Sequence, residues 1–284
     1  MATIAYLGTG LLGAAFAEAA AKRGDTVTAW NRSPQKAQAL AAFGAKAAAT
    51  PADAVKGASR VHLVLKDDAV VEEVIAAARA GLAADAVIID HTTTLPALTA
   101  QRAKRLAAEG VKYLHCPVFM GPPAARNAQG SMMAAGPKPL FEGVKADLAA
   151  MTGKLEFMGE RPDLAAVHKL FGNALIIAMM SSLSDILTIA QASDVDGLDA
   201  VKLLGWLDLN MMVSVRGAKM AKGEFEPPSF ELAMARKDVR LMLETVGNRP
   251  MAVLPGVAAR MDQLIAAGRG AQDASVVGVD AVKR

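Results

Sequence analysis

The segment Gly8-Thr9-Gly10-Leu11-Leu12-Gly13 constrains this chain more than any other. It spells G-x-G-x-x-G directly after a short apolar stretch, residues 2–7. It also opens residues 11–23, which carry strong helix formers and stop at Gly24. A glycine turn between a buried strand and a helix is the context that binding of a dinucleotide pyrophosphate requires. Gly8 permits the tight turn, Gly10 lets the backbone approach the anion, and Gly13 lets helix and strand pack closely. The helix amino terminus adds unpaired N–H groups for the phosphates.

Strand and helix signals keep alternating after this unit. The pattern predicts strands over 26–30, 60–65, 86–90 and 112–115, with helices over 35–43, near 70–80 and near 98–110. Such alternation implies right-handed crossovers and a mostly parallel sheet covered on both faces. The pattern changes near residue 163. Residues 163–193 lack proline and contain only Gly172 as a break, so they read as one long helix, too apolar to be exposed on most sides. Further helical segments follow at about 198–222, 230–247 and 251–267. The expected fold class is therefore α/β: a dinucleotide-binding domain over 1–162 and an all-helical domain over 163–284, joined by the long helix.

Composition narrows the partners. With 53% hydrophobic and 21% charged residues, 284 residues amply build a buried core. There are 31 basic against 28 acidic residues, no run of five like charges, and 4% aromatics, which argues against a nucleic-acid surface. Cys116 stands alone, so neither an intrachain disulfide nor a cysteine metal cluster can form, and a reducing cytoplasm fits. The histidines, His62, His91, His115 and His168, show no metal-ligand spacing, and no metal is expected. No basic residue precedes the apolar amino terminus. The later apolar run, residues 174–180, falls short of the ~20 residues that span a bilayer. A soluble protein without a membrane partner is expected.

The end of the second strand bears on the cofactor. An NAD site usually places Asp or Glu ~20 residues after the glycine turn, on the ribose hydroxyls. Asn31-Arg32-Ser33 stands there instead. A carboxylate would repel a 2′-phosphate, whereas a guanidinium and a hydroxyl can bind one, so NADP(H) is expected over NAD(H). A solvated turn arginine is the plainer alternative.

Lys169 sits near the start of the long helix, with Asn173 four residues on along the same face. In carbonyl reduction negative charge grows on oxygen, and an ammonium there stabilises it and delivers the proton. A helical lysine is as a rule a solvated surface charge, and the residue pattern leaves that reading open. Met179 on the same helix is a possible pocket residue, although methionines mostly fill cores.

Together, the glycine turn, Asn31-Arg32-Ser33, the Lys169/Asn173 pair and the segment from Phe230 to Lys237-Asp238 resemble the β-hydroxyacid dehydrogenases over nearly the whole chain. That group includes 3-hydroxyisobutyrate dehydrogenases and glyoxylate/succinic semialdehyde reductases, and imine reductases are similar relatives. The resemblance implies a Rossmann domain, a helical substrate and dimerisation domain, and a homodimer or homotetramer. It implies Lys169 as catalytic lysine, Asn173 as its support, Lys237 closing over the cofactor near the substrate, and Phe230 as the aromatic before it. Asp90-His-Thr-Thr93-Thr-Leu-Pro96 is similar to the family's D-x-S-T-x-x-P loop, which places Thr93 beside the nicotinamide; Leu65 and Lys66 match backbone against the cofactor.

The chain departs from the family where a substrate loop P-V-S-G-G is expected. It carries Pro117-Val118-Phe119-Met120-Gly121, which removes a hydroxyl donor and adds apolar bulk. A second departure, Asp163 and Ala165 where glycines are expected, changes the loop before the helix. The expected function is reversible NADP(H)-dependent hydride transfer to an aldehyde, ketone or semialdehyde, with Lys169 as acid and base. Reduction of apolar imines is the alternative, since Phe119 and Met120 suit an apolar cleft. A non-catalytic NADPH sensor would gain nothing from keeping Lys169, Asn173 and Lys237 together.

Overall fold

The computed structural model describes residues 2–282. Two compact units meet at Asn173/Ala174, inside the long helix rather than at its start.

In the first unit β1 (Thr3–Leu7), β2 (Thr26–Trp30), β3 (Lys46–Ala47), β4 (Arg60–Leu63), β5 (Val87–Asp90) and β6 (Lys112–His115) lie parallel in the order β3-β2-β1-β4-β5-β6. β7 (Val118–Phe119), β8 (Ser131–Ala135) and β9 (Lys154–Gly159) extend the sheet, β8 antiparallel to both β6 and β7 and parallel to β9. The chain first steps outward from β1 to β2 and β3, then returns to β4 on the other side of β1. That reversal opens a crevice at the carboxyl ends of the strands.

Strand alternation supplies both faces. Ile4 and Tyr6 of β1 join a core with Phe16 of α1 (Leu11–Lys22), while α2 (Pro34–Gln38) adds Ala37 to it. Ala5 and Leu7 join the opposite core with Val55 of α3 (Pro51–Val55), Val74 and Ile75 of α4 (Asp68–Ala78) and Leu106 of α5 (Pro96–Ala108). The short α6 (Pro122–Arg126) and Phe141 and Leu148 of α7 (Lys138–Ala149) cover the first face near β8.

α8 (Leu164–Ala192) runs from the first unit into the second. Its most apolar 18-residue stretch has a mean hydropathy of 1.6 and is 6% buried, so by length and composition it could cross a membrane. This corrects the reading from run length. His168, Lys169, Asn173 and Ser181 break the run without much lowering its average.

The second unit continues with α9 (Gly197–Leu204), α10 (Leu209–Met211), a π-helical turn at Met212–Arg216, α11 (Gly217–Lys222), α12 (Leu232–Val246) and α13 (Leu254–Ala266). One helix over 198–222 was expected. The chain instead stops at Gly205 and restarts where the Asp208 carboxylate accepts the Met211 N–H at 2.9 Å, a cap that competes with helix continuation. Leu232, Val239, Met261, Leu264 and Val276 form this unit's core.

Asp185 of α8 is buried and accepts the backbone N–H groups of Ala252, Val253 and Leu254 at 2.6, 2.9 and 2.9 Å. It caps α13 from another helix, meeting donors that the helix cannot satisfy itself. Burial alone would raise its pKa, and the three N–H donors outweigh that and hold the carboxyl below the usual range. Asp185→Asn keeps the shape but replaces an acceptor oxygen by a donor. It should lower stability by about 2 kcal/mol, read from the urea midpoint at unchanged denaturant slope.

Candidate active site

A cleft of about 470 Å³ opens where the strand order reverses. Its walls are the glycine turn, residues 30–33 at the end of β2, residues 64–66 after β4 and residues 91–93 after β5. The three glycines serve different needs. Gly8 has φ of 97°, and a Cβ there would overlap the Val64 carbonyl; a Cβ on Gly13 would overlap the Gly8 carbonyl. A Cβ on Gly10 would meet nothing within 4 Å. The protein's own packing therefore demands Gly8 and Gly13, while the space at Gly10 is free for a ligand to approach the backbone. The first turn of α1 has neither a side-chain cap nor an acidic residue, so its N–H groups face the cleft without a competing anion. These features fit a dinucleotide pyrophosphate.

The β2 end is tied to the glycine turn. The Thr9 N–H donates to Asn31 Oδ1 at 3.0 Å, and Asn31 Nδ2 donates to the Ser33 carbonyl at 3.1 Å. Asn31 thus spends its side chain on holding the two loops, and Arg32 and Ser33 are exposed beside it. The buried Thr9 hydroxyl has no partner among the described residues. Lys36 and Glu73 also line the cleft, and sequence reasoning passed over both. Lys36 had a legible signal, two residues beyond Pro34 at the start of α2.

The opposite wall rests on buried polar groups. The Leu65 N–H donates to Thr92 Oγ1 at 3.1 Å, and the Thr92 N–H donates to Asp90 Oδ1 at 2.9 Å. Thr93, expected beside the nicotinamide, is exposed on the cleft lining. His91 is anchored through its ring: Nδ1–H donates to the Cys116 carbonyl at 2.7 Å. Because a carbonyl can only accept, His91 Nε2 must accept the Nδ1–H of His62 at 2.9 Å. Burial lowers the pKa of both rings, that of His91 to about 4, so the pair is neutral at pH 7.

Lys169 lies on the part of α8 that belongs to the first unit and is half-buried. Its Nζ donates to the Val118 carbonyl at 2.7 Å and stands 4.0 Å from the Phe119 ring centroid. Desolvation lowers its pKa below that of a free lysine. The Phe119 ring packs on α8 at Gly172, where any Cβ would overlap it. Gly172 is therefore a seat for Phe119. Asn173 is half-buried one turn beyond Lys169. Met120 packs against the core of the first unit, and Gly121 precedes α6. His168, as ordinary packing would have it, donates its Nδ1–H to the Leu164 carbonyl at 2.8 Å.

Three expected residues lie in the second unit. Met179 is exposed on α8, Phe230 is partly exposed, and Lys237 pairs with Asp238 at 3.0 Å. The buried Asp273, unforeseen from sequence, fixes the chain at Phe230: it accepts the Ser229 N–H and hydroxyl at 2.9 and 2.7 Å and those of Ser275 at 3.0 and 2.7 Å.

Residues 3–159 match the NAD binding domain of 6-phosphogluconate dehydrogenase. The chain belongs to the β-hydroxyacid dehydrogenase family. It is 29% identical to glyoxylate/succinic semialdehyde reductase 1 of Arabidopsis thaliana, covering 99% of this chain and 98% of that one. Among solved structures it is similar to an imine reductase of Streptomyces aurantiacus, with a TM-score of 0.90, 26% identity and coverage of 99% and 100%. It shares its fold with a reductive aminase of Aspergillus terreus in complex with NADPH and ethyl levulinate, at a TM-score of 0.88, 21% identity and 99% coverage of each chain. The protein is an oxidoreductase of the β-hydroxyacid dehydrogenase and imine reductase type that binds a nicotinamide dinucleotide.

Proposed function

We infer that this oxidoreductase reduces an aldehyde or ketone to its alcohol with NADPH, reversibly, and that Lys169 is its acid and base. The observation that carries the reading is the placement of the Lys169 amine, bonded to the Val118 carbonyl and resting on the Phe119 ring. A lysine at a helix surface would be fully hydrated; this one is partly desolvated, which brings its pKa toward working pH. When bound, the dinucleotide supplies or accepts the hydride. One of the three ammonium protons holds the Val118 carbonyl, and the others are left for a substrate oxygen. There Lys169 stabilises the growing negative charge and gives up its proton; as free amine it takes the proton of an alcohol. Asn173 orients the same oxygen or the amine.

The Phe119 ring bears on substrate class. It brings no hydroxyl donor for a carboxylate, so a small hydroxyacid is a poorer fit than a larger, less charged carbonyl compound. Imine reduction is the second reading, supported by the similarity to the Streptomyces aurantiacus imine reductase. A cationic iminium would seek an aromatic face, and here the face of Phe119 is taken by another cation, which favours carbonyl chemistry. Lys169→Ala should lower kcat for carbonyl reduction by about 10²- to 10⁴-fold, followed through NADPH absorbance. In the parent enzyme reduction should fall and alcohol oxidation rise as pH climbs through the lowered lysine pKa, because reduction needs the ammonium and oxidation the free amine. Full turnover by the variant would remove Lys169 from the mechanism.

For the cofactor, Arg32 and Ser33 stand where a carboxylate would select NAD, and Lys36 adds a second cation to that end of the cleft. NADPH should bind at least tenfold more tightly than NADH, and Arg32→Ala should bring the two dissociation constants together. Titration by intrinsic or cofactor fluorescence reads both, and equal affinities in the parent protein would reject NADP selectivity.

The exposed apolar face of α8 in the second unit, with Ile177 and Met180 three residues apart at 62 and 64% exposure, is covered in this reading by a second copy of the chain in a cytoplasmic homodimer or homotetramer. Neighbouring large apolar side chains left in water invite association. Sedimentation equilibrium without detergent should give a dimer or tetramer mass; a monomer, or a protein that needs detergent to stay dispersed, would reject it.

A further inference from the structure

The connections after β4 and after β5 both line the cleft, and they are joined behind it by a single buried cation. The Arg102 side chain, on α5, is fully buried. Its Nε donates to Glu72 Oε1 at 2.7 Å and its Nη2 to Asp68 Oδ1 at 2.6 Å, while Nη1 lies 3.5 Å from both the Tyr113 hydroxyl and Asp90 Oδ2. Asp68, Tyr113 and Asp90 pass the constraint on, and Glu72 does not. Asp68 Oδ2 accepts the Leu95 N–H at 2.8 Å, fixing the entry to α5. Tyr113 donates to Asp90 Oδ2 at 2.9 Å, Asp90 Oδ1 accepts the Thr92 N–H, and Thr92 Oγ1 accepts the Leu65 N–H. The circuit runs from Leu65 through Thr92, Asp90, Arg102 and Asp68 to Leu95. The loop carrying Arg32 and Ser33 is held separately, through Asn31.

We propose that Arg102 is a positioning residue for the half of the dinucleotide that lies against residues 64–66 and 91–93, leaving the adenosine half to the Asn31–Ser33 loop. The proposal rests on the reading of the cleft as the cofactor site. A planar guanidinium can serve three carboxylate-bearing partners from fixed directions, and a lysine ammonium cannot match that fork. Without it the buried Asp90 loses its counter-charge and the spacing of the two connections relaxes, although neither Arg102 nor Asp68 lines the cleft.

The test compares a whole cofactor with a fragment that reaches only the adenosine half. The probes are NADPH with adenosine 2′,5′-bisphosphate, or NADH with ADP should the parent protein prefer NADH, measured by calorimetry on the full chain. Arg102→Lys and Asp68→Asn should each weaken the dinucleotide at least fivefold and the fragment less than twofold. Glu72→Gln, which touches Arg102 but neither connection, should leave both within twofold. Tyr113→Phe, a milder change that removes only the hydroxyl link to Asp90, should shift in the same selective direction and covers a failure of the other variants to fold. A parallel loss of dinucleotide and fragment would mark Arg102 as merely structural and overturn the proposal, as would unchanged affinity for both. A parent protein that binds neither probe rejects the cofactor reading itself, before any variant is compared.

Discussion

The contact on which the first unit depends is the approach of α1 to the strand ends, so close that Gly13 abuts the Gly8 carbonyl and Gly8 abuts the Val64 carbonyl. No side chain fits at either place. Because of that approach the amino end of α1 points its unpaired N–H groups into the crevice made by the strand reversal, and β4 is drawn near enough for the next connection to form the facing wall. The anion site and the sheet order are thus consequences of one steric condition.

Around that condition the polar groups fall into separate systems. Asn31 ties the glycine turn to the β2 end, the Asp90–Arg102 circuit ties the two connections beyond, and the His62–His91 pair fills the core between them with neutral rings. The bonds named in each run within the protein, as buried polar groups favour, whereas the buried Thr9 and Tyr6 hydroxyls have no partner among the described residues. The second unit uses the same device, with Asp185 and Asp273 each gathering several donors. A carboxylate that accepts backbone N–H groups substitutes for local capping and fixes a helix start from a distant part of the chain.

Legibility followed the range of the forces. Gly8, Gly10 and Gly13, the β2 end and the first parallel strands act through local periodicity and turn chemistry, and they are where the residues put them. β8 was missed because Ser-Met-Met-Ala-Ala carries no β-branched residue and becomes a strand through its neighbours. The break in residues 198–222 was missed because the apolar spacing outweighed a single Asp208 cap. The extent of α8 was legible, residues 163–193 against Leu164–Ala192, but counting uninterrupted apolar residues missed that its average makes it long and apolar enough to cross a membrane. Lys169 could be singled out in the sequence, but its bond to Val118 could not, since the partners lie 51 positions apart. Nothing in the sequence singles out Arg102 or Asp185, because only tertiary burial turns them into clamps.

Phe119 and Gly172 are joined by more than proximity. The ring sits where a methyl group on the helix would have to be, so the loop residue and the helix residue are not independent characters. With Phe119 as it lies, a side chain at residue 172 would push the ring aside, so the two positions constrain each other. Rebuilding the loop with a smaller residue at position 119 therefore opens a hole beside the amine, which a side chain at residue 172 could then fill.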